Sequence, residues 1–120
     1  MGRRRQLRKF TARCKSLFDA GVALAKDSGT QELLGRWRAT VGPLVVVARE
    51  EKGGTASQPD CEISLTVKVA SKTLFSAQVF VRYSDKGPEH RSERVEKFVP
   101  GRWEDALATA FRLLTTKSGS

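Results

Sequence analysis

Nine consecutive residues near the middle of the chain alternate without a break. Cys61, Ile63, Leu65, Val67 and Val69 are apolar, and Glu62, Ser64, Thr66 and Lys68 between them are polar. Successive side chains on a strand point to opposite faces, so this run has one face to bury and one to leave in water. A sheet with one covered side is therefore the centre of whatever forms around it. After a tight turn at Ser71-Lys72 the pattern resumes over 73–83. Phe75, Ala77, Val79, Val81 and Tyr83 take one face; Leu74, Ser76, Gln78, Phe80 and Arg82 take the other. The spacing predicts two long antiparallel strands.

The flanking segments extend the sheet. Leu44-Val45-Val46-Val47-Ala48-Arg49 is apolar at five consecutive positions, which predicts an interior strand buried on both faces. Residues 50–60 contain Gly53, Gly54 and Pro59 without an apolar period and read as a loop, as do residues 84–90. Residues 91–99 carry Arg91, Glu93, Arg94, Glu96 and Lys97. Mixed charge of this kind suits an edge strand guarded against pairing with other chains.

Helical periodicity governs both ends of the chain. Over 5–27, Leu7, Phe10, Cys14, Leu17, Phe18, Gly21, Val22, Leu24 and Ala25 share one face, and Arg5, Arg8, Lys9, Arg13 and Lys15 project from the other. Asp27-Ser28-Gly29 supplies a stop. Ser28 and Gln31 have the spacing of a capping box, which predicts a short second helix over 30–39 with Leu33, Leu34 and Trp37 inward, ended by Val41-Gly42-Pro43. Pro100-Gly101 breaks the sheet, and 102–116 forms a last helix on a stripe of Trp103, Leu107, Ala110, Phe111 and Leu114. Glu104 and Asp105 fall in its first turn, where the helix dipole favours acids. The expected fold is one α+β domain over 1–120: N-terminal helices, a four-stranded antiparallel β-meander and a C-terminal helix in two layers. Val45, Val47, Leu74 and Phe80 then place apolar groups on the second face of the sheet. Either helices cover part of that face or it meets another subunit, making these four a candidate interface.

Charge is distributed unevenly. The formal net charge is +9 over 120 residues. Arg3, Arg4, Arg5, Arg8, Lys9, Arg13 and Lys15 carry seven of the positive charges within the first fifteen residues, with no acid among them. The rest of the chain is nearly balanced. Such asymmetry points to a polyanionic partner: nucleic acid, an acidic protein or an anionic membrane surface. The membrane reading is the weaker, because the domain core needs the apolar face of the same helix.

The two cysteines, Cys14 and Cys61, form no C-x-x-C pair and fall on apolar stripes. They read as small buried hydrophobes of an intracellular, reducing compartment. The cytoplasm or nucleus fits, and the Arg-rich, acid-free start leaves an organelle open. No apolar h-region follows that start, no run approaches the ~18 residues of a membrane span, and Gln6 stands where myristoylation favours Ser or Thr.

Catalytic chemistry has no visible seat. The single histidine, His90, lies in a polar Pro-Glu-His-Arg loop. No phosphate-binding loop, dinucleotide fingerprint, zinc-protease or nucleophile-elbow motif is present. No cofactor and no metal site is expected. The order of helix, strands and helix is similar, in topology alone, to that of double-stranded-RNA-binding domains and of small single-strand-binding domains. The former begin their last helix with a Lys-rich segment, and this chain has Gly101-Arg102-Trp103-Glu104-Asp105 there. No residue role is carried over, since fold does not imply function.

The leading expectation is a small non-enzymatic protein that binds RNA or DNA. Arg3, Arg4, Arg5, Arg8, Lys9, Arg13 and Lys15 would meet the phosphate backbone. Lys68 and Arg82, on the outward face of the sheet with Gln78 and Phe80, form a second basic surface where an aromatic could stack an unpaired base. The competing expectation is a protein–protein interaction module, a homodimer or an adaptor subunit, that uses the apolar second face.

Overall fold

The computed structural model describes residues 10–119, with Pro100 and residues 115–119 described by their backbone only. The period-2 segments form one antiparallel sheet in which every strand pairs with the next in sequence: β1 (Thr30–Leu33), β2 (Arg36–Val41), β3 (Leu44–Gly54), β4 (Pro59–Val69), β5 (Lys72–Ser84) and β6 (Gly87–Phe98). Helix α1 (Ala12–Ser28) precedes the sheet and α2 (Pro100–Gly119) follows it. The α+β class, the meander and the two-layer arrangement agree with expectation. The strand count does not: there are six.

The two additional strands replace the helix expected over 30–39. Leu33, Leu34 and Trp37 do have helical spacing. However, Trp37, Ala39 and Val41 also alternate with Arg36, Arg38 and Thr40, and Gly35 interrupts the would-be helix. Pairing with β3 decides the contest, because it buries Ala39 opposite Val46 and sets Trp37 against Ala48. Leu33 and Leu34 are 65% and 98% exposed rather than inward. Gly35 has φ +75°, and a Cβ there would run into the Glu50 carbonyl oxygen; its own carbonyl accepts the Glu50 N–H at 2.7 Å. Gly42-Pro43, read as a helix stop, is the two-residue connection of the β2–β3 hairpin, with Gly42 at φ +59°.

The expected loops shrink for a related reason. Glu50 to Gly54 and Pro59 onward carry few apolar groups, yet their backbones continue the β3–β4 ladder to Gly54 opposite Pro59. A ladder needs N–H and C=O groups in register, not apolar side chains. Residues 84–90 likewise contract to a turn between Ser84 and Gly87. Strand β6 is the predicted charged edge, and β3 lies inside the sheet. Only one face of β3 is fully buried, through Leu44, Val46 and Ala48; Val45 and Val47 are half-buried.

Both helices pack on the same face. Helix α1 buries Cys14, Leu17, Phe18, Leu24 and Ala25, and α2 buries Trp103, Leu107 and Ala110, against Val46, Leu65, Val67, Phe75, Ala77, Val79 and Val95. The α1 start is later than expected. Thr11 is extended and caps the helix, its Oγ1 accepting the Cys14 N–H at 3.2 Å, so the described helix opens at Ala12 and Phe10 precedes it. Helix α2 opens earlier, at Pro100, a residue pre-set for a first helical position. Glu104 and Asp105 therefore lie beyond the first turn, and Phe111 is 47% exposed instead of sharing the buried stripe. Gly21 allows the two helices and the sheet to meet: a Cβ there would lie 2.5 Å from Leu65 Cδ2 and 3.3 Å from the Trp103 ring.

Leu74 also departs from expectation. It is 3% exposed and belongs to the core, not to the second face. The β4–β5 register shifts between Val67 and Lys68, leaving an extra residue in β5, so that Leu74 and Phe75 are both buried.

Two substitutions test this packing. Gly21→Val is expected to lower stability by about 1–3 kcal/mol through overpacking, seen as a reduced urea midpoint; an unchanged midpoint would mean that the helices do not meet there. Ala70 and Ser71 form the β4–β5 turn with φ +50° and +71°, a left-handed pair that Asn-Gly adopts with less strain. Replacing them with Asn-Gly is expected to raise stability by about 1 kcal/mol, measured in the same denaturation experiment.

Candidate nucleic-acid interface

With both helices on one side, the other side of the sheet lies open, and strand register determines what it presents. Directly paired residues share a face. One row across the sheet is Arg36, Arg49, Ser64, Gln78 and Arg94; the next is Arg38, Val47, Thr66, Ser76 and Lys97. Thr40, Val45, Lys68 and Thr73 continue the surface at one end, and Glu51, Glu62, Phe80 and Ser92, followed by Asp60, Arg82 and His90, continue it at the other. The seven cations on this face outnumber its acids, Glu32, Glu51, Asp60 and Glu62.

The acids are unevenly placed. Glu32 on β1 pairs with Arg36 and Arg38, Nε to carboxylate 3.4 and 3.1 Å, and Arg49 lies 3.3 Å from Glu51. Among the described residues, Lys68, Arg82, Arg94 and Lys97 have no carboxylate within 4 Å. Exposed pairs such as these are weak and exchangeable, so all seven cations can meet an incoming polyanion.

Two depressions mark the face. One, of about 280 Å³, has Val45, Val47 and Thr66 within a rim of Arg36, Arg38, Arg49 and Lys68. The other, of about 240 Å³, is lined by Glu62, Gln78, Phe80, Ser92 and Arg94. Above the Phe80 ring sits the Arg82 guanidinium carbon, 5.8 Å from the centroid, and the His90 ring lies 6.3 Å away. A larger cavity of about 660 Å³ joins this face through Ser76 and Lys97 and adds Lys72, Arg102 and the carboxylate of Glu96, so that cations outnumber acids round one end of the sheet.

The residues singled out in the sequence divide into three groups. Lys68, Arg82, Val45, Val47 and Phe80 come together on the open face, while Leu74 does not. Arg3, Arg4, Arg5, Arg8 and Lys9 lie outside the described residues. Arg13 and Lys15 are on α1, away from the open face, and both are engaged: Arg13 makes a two-point contact with Glu104 of α2, Nε to Oε2 3.0 Å, and Lys15 reaches Asp19 at 2.8 Å. The sequence reading missed Arg36, Arg38, Arg49, Arg94 and Lys97 as a set. Alternation over 36–41 was the available signal for the first two.

The cysteines are free, Cys14 in the core and Cys61 half-buried. Burial pushes both thiols above the ordinary cysteine value, helped by Glu93 near Cys14 and Glu50 near Cys61. A raised thiol is a poor nucleophile at neutral pH. Among the described residues, no three His, Cys, Asp or Glu side chains converge as metal ligands do, and no helix is long and apolar enough to cross a membrane. The apolar face of α1 is buried in the core. No family model matches the chain, and neither a curated protein nor a solved structure is found to be similar to it.

The Arg13–Glu104 contact has a pH signature. The hydrogen bond from Arg13 holds the Glu104 carboxyl below its ordinary value and raises the Arg13 guanidinium. A carboxyl depressed in the folded state stabilises above its unfolded pKa of about 4.3, and that stabilisation is lost as pH falls through the folded value. The stability difference between the native chain and Glu104→Gln is therefore expected to be present at pH 7 and to vanish in acid. Paired urea titrations across that range measure it, and a pH-independent difference would rule out the contact as its source.

Proposed function

We propose that the protein binds nucleic acid, without catalysing a reaction, through the open face of its sheet. The carrying observation is the concentration of Arg36, Arg38, Arg49, Lys68, Arg82, Arg94 and Lys97 on the one face that no helix covers. Cations at strand spacing across a broad sheet can follow a phosphate backbone, and serine, threonine and glutamine side chains between them supply neutral hydrogen-bonding groups. Arg3, Arg4, Arg5, Arg8 and Lys9 add positive charge to the same chain and raise its attraction to any polyanion.

The competing reading, self-association through this face, is less well supported. Its apolar groups are Val45, Val47 and Phe80, all half-buried. Two copies placed face to face would set like charges against each other, and charge is depleted from the centres of stable interfaces.

The test is a fluorescence-anisotropy titration of labelled oligonucleotides over a salt series. Log affinity is expected to fall linearly with log salt. Lys68→Ala and Lys97→Ala are each expected to weaken binding and to reduce the slope by roughly 0.7–1. Binding that is insensitive to salt, or face variants that bind as the native chain does, would overturn the reading.

A further inference from the structure

The depression around Phe80 differs chemically from the rest of the open face. Elsewhere the carboxylates Glu32 and Glu51 on that face pair with Arg36, Arg38 and Arg49. Here a half-buried aromatic ring lies beside a carboxylate, an amide and a hydroxyl: Glu62 is directly paired with Phe80 across the β4–β5 ladder, Ser92 is paired with it across β5–β6, and Gln78 is two residues along its own strand. Glu62 is itself half-buried and, among the described residues, has no cation within 4 Å and no hydrogen bond from a side chain. A carboxylate in that state has its acceptor oxygens free for an incoming donor in exchange for water. It would repel a phosphate, so phosphate binding alone gives no reason for its position.

A base stacked on Phe80 does give one. We propose that this depression receives a single unpaired nucleobase bearing an exocyclic amine, with the amine donating to Glu62. This rests on the nucleic-acid reading above and narrows it to single strands, because a base in a duplex has neither a free face for the ring nor a free pairing edge. Arg94 lines the depression, and Arg82, whose guanidinium lies over the Phe80 ring in the free protein, swings aside for the base; both then neutralise the adjoining phosphates. Gln78 and Ser92 donate to or accept from the remaining base edge. Stacking tolerates any base, so selectivity comes from Glu62. Cytosine presents an amino group where uracil presents a carbonyl, and a carboxylate accepts from the first and repels the second.

The experiment compares 12-nucleotide cytidine and uridine homopolymers, as RNA and as the corresponding deoxy strands, with a duplex of equal length. The native chain is expected to prefer cytosine to uracil by roughly 5-fold or more on either backbone. Phe80→Ala is expected to weaken single-strand binding by about 5- to 100-fold and to leave duplex binding within about 2-fold. Phe80→Leu, which keeps apolar bulk, serves as the second variant and must show the same loss. Glu62→Gln is expected to abolish the base preference while retaining affinity. Salt-dependent binding that Phe80 and Glu62 variants leave unchanged overturns this inference alone. Absence of salt-dependent binding overturns the parent reading with it.

Discussion

Two helices share one face of the sheet because the apolar stripes of both are buried against the same strand residues, and Gly21 lets α1 come close at the junction. Helix α1 approaches Leu65 and the Trp103 ring at Gly21, where an added Cβ would overlap Leu65 Cδ2 and crowd the indole. Trp103 is fully buried at this junction, and the core from Cys14 to Ala110 forms around it on one side of the six strands. The arrangement leaves the opposite side of the sheet without a helical cover. Its residues must then be compatible with water, and they are: Arg, Lys, Ser, Thr and Gln predominate, with three half-buried apolar groups among them.

Charge on the chain acquires a location from this geometry. By composition, the part after residue 15 is close to neutral. Strand pairing sorts that near-neutral set, drawing cations from five different strands to the uncovered face. The basic character of the open face is thus a property of sheet register. It emerges only when Arg36, Arg49 and Arg94, far apart in sequence, fall into one row.

This explains how much could be read in advance. The alternation over 61–69 and 73–83 identified the two central strands and placed Lys68, Gln78, Phe80 and Arg82 outward, because period 2 is a local signal with one geometric meaning. Segment 30–39 satisfied two periods at once, and pairing with β3, a non-local event, chose between them. Leu74 could not be placed, since a bulge is set by the register of two strands and leaves no mark on apolar spacing. The polar ends of β3, β4 and β6 were hidden because backbone ladders extend beyond the apolar core. The pairing of Arg13 with Glu104 was not legible either, because Glu104 lies far along the chain. The candidate face was legible in its centre and illegible at its rim.

The meander order has a kinetic corollary. Each strand joins its immediate predecessor through a short connection, so each step of sheet growth closes a small loop at low entropic cost. The helix contacts are the exceptions: α1 packs on β3 and β4, α2 on β2, and the whole sheet separates α1 from α2 in sequence. Hairpins can therefore zip before the helices dock, and the Trp103–Gly21 junction belongs to the late part of folding. Weakening it should accelerate unfolding more than it slows refolding. The junction that lets the two helices close on one face is thus expected to be the latch that closes last.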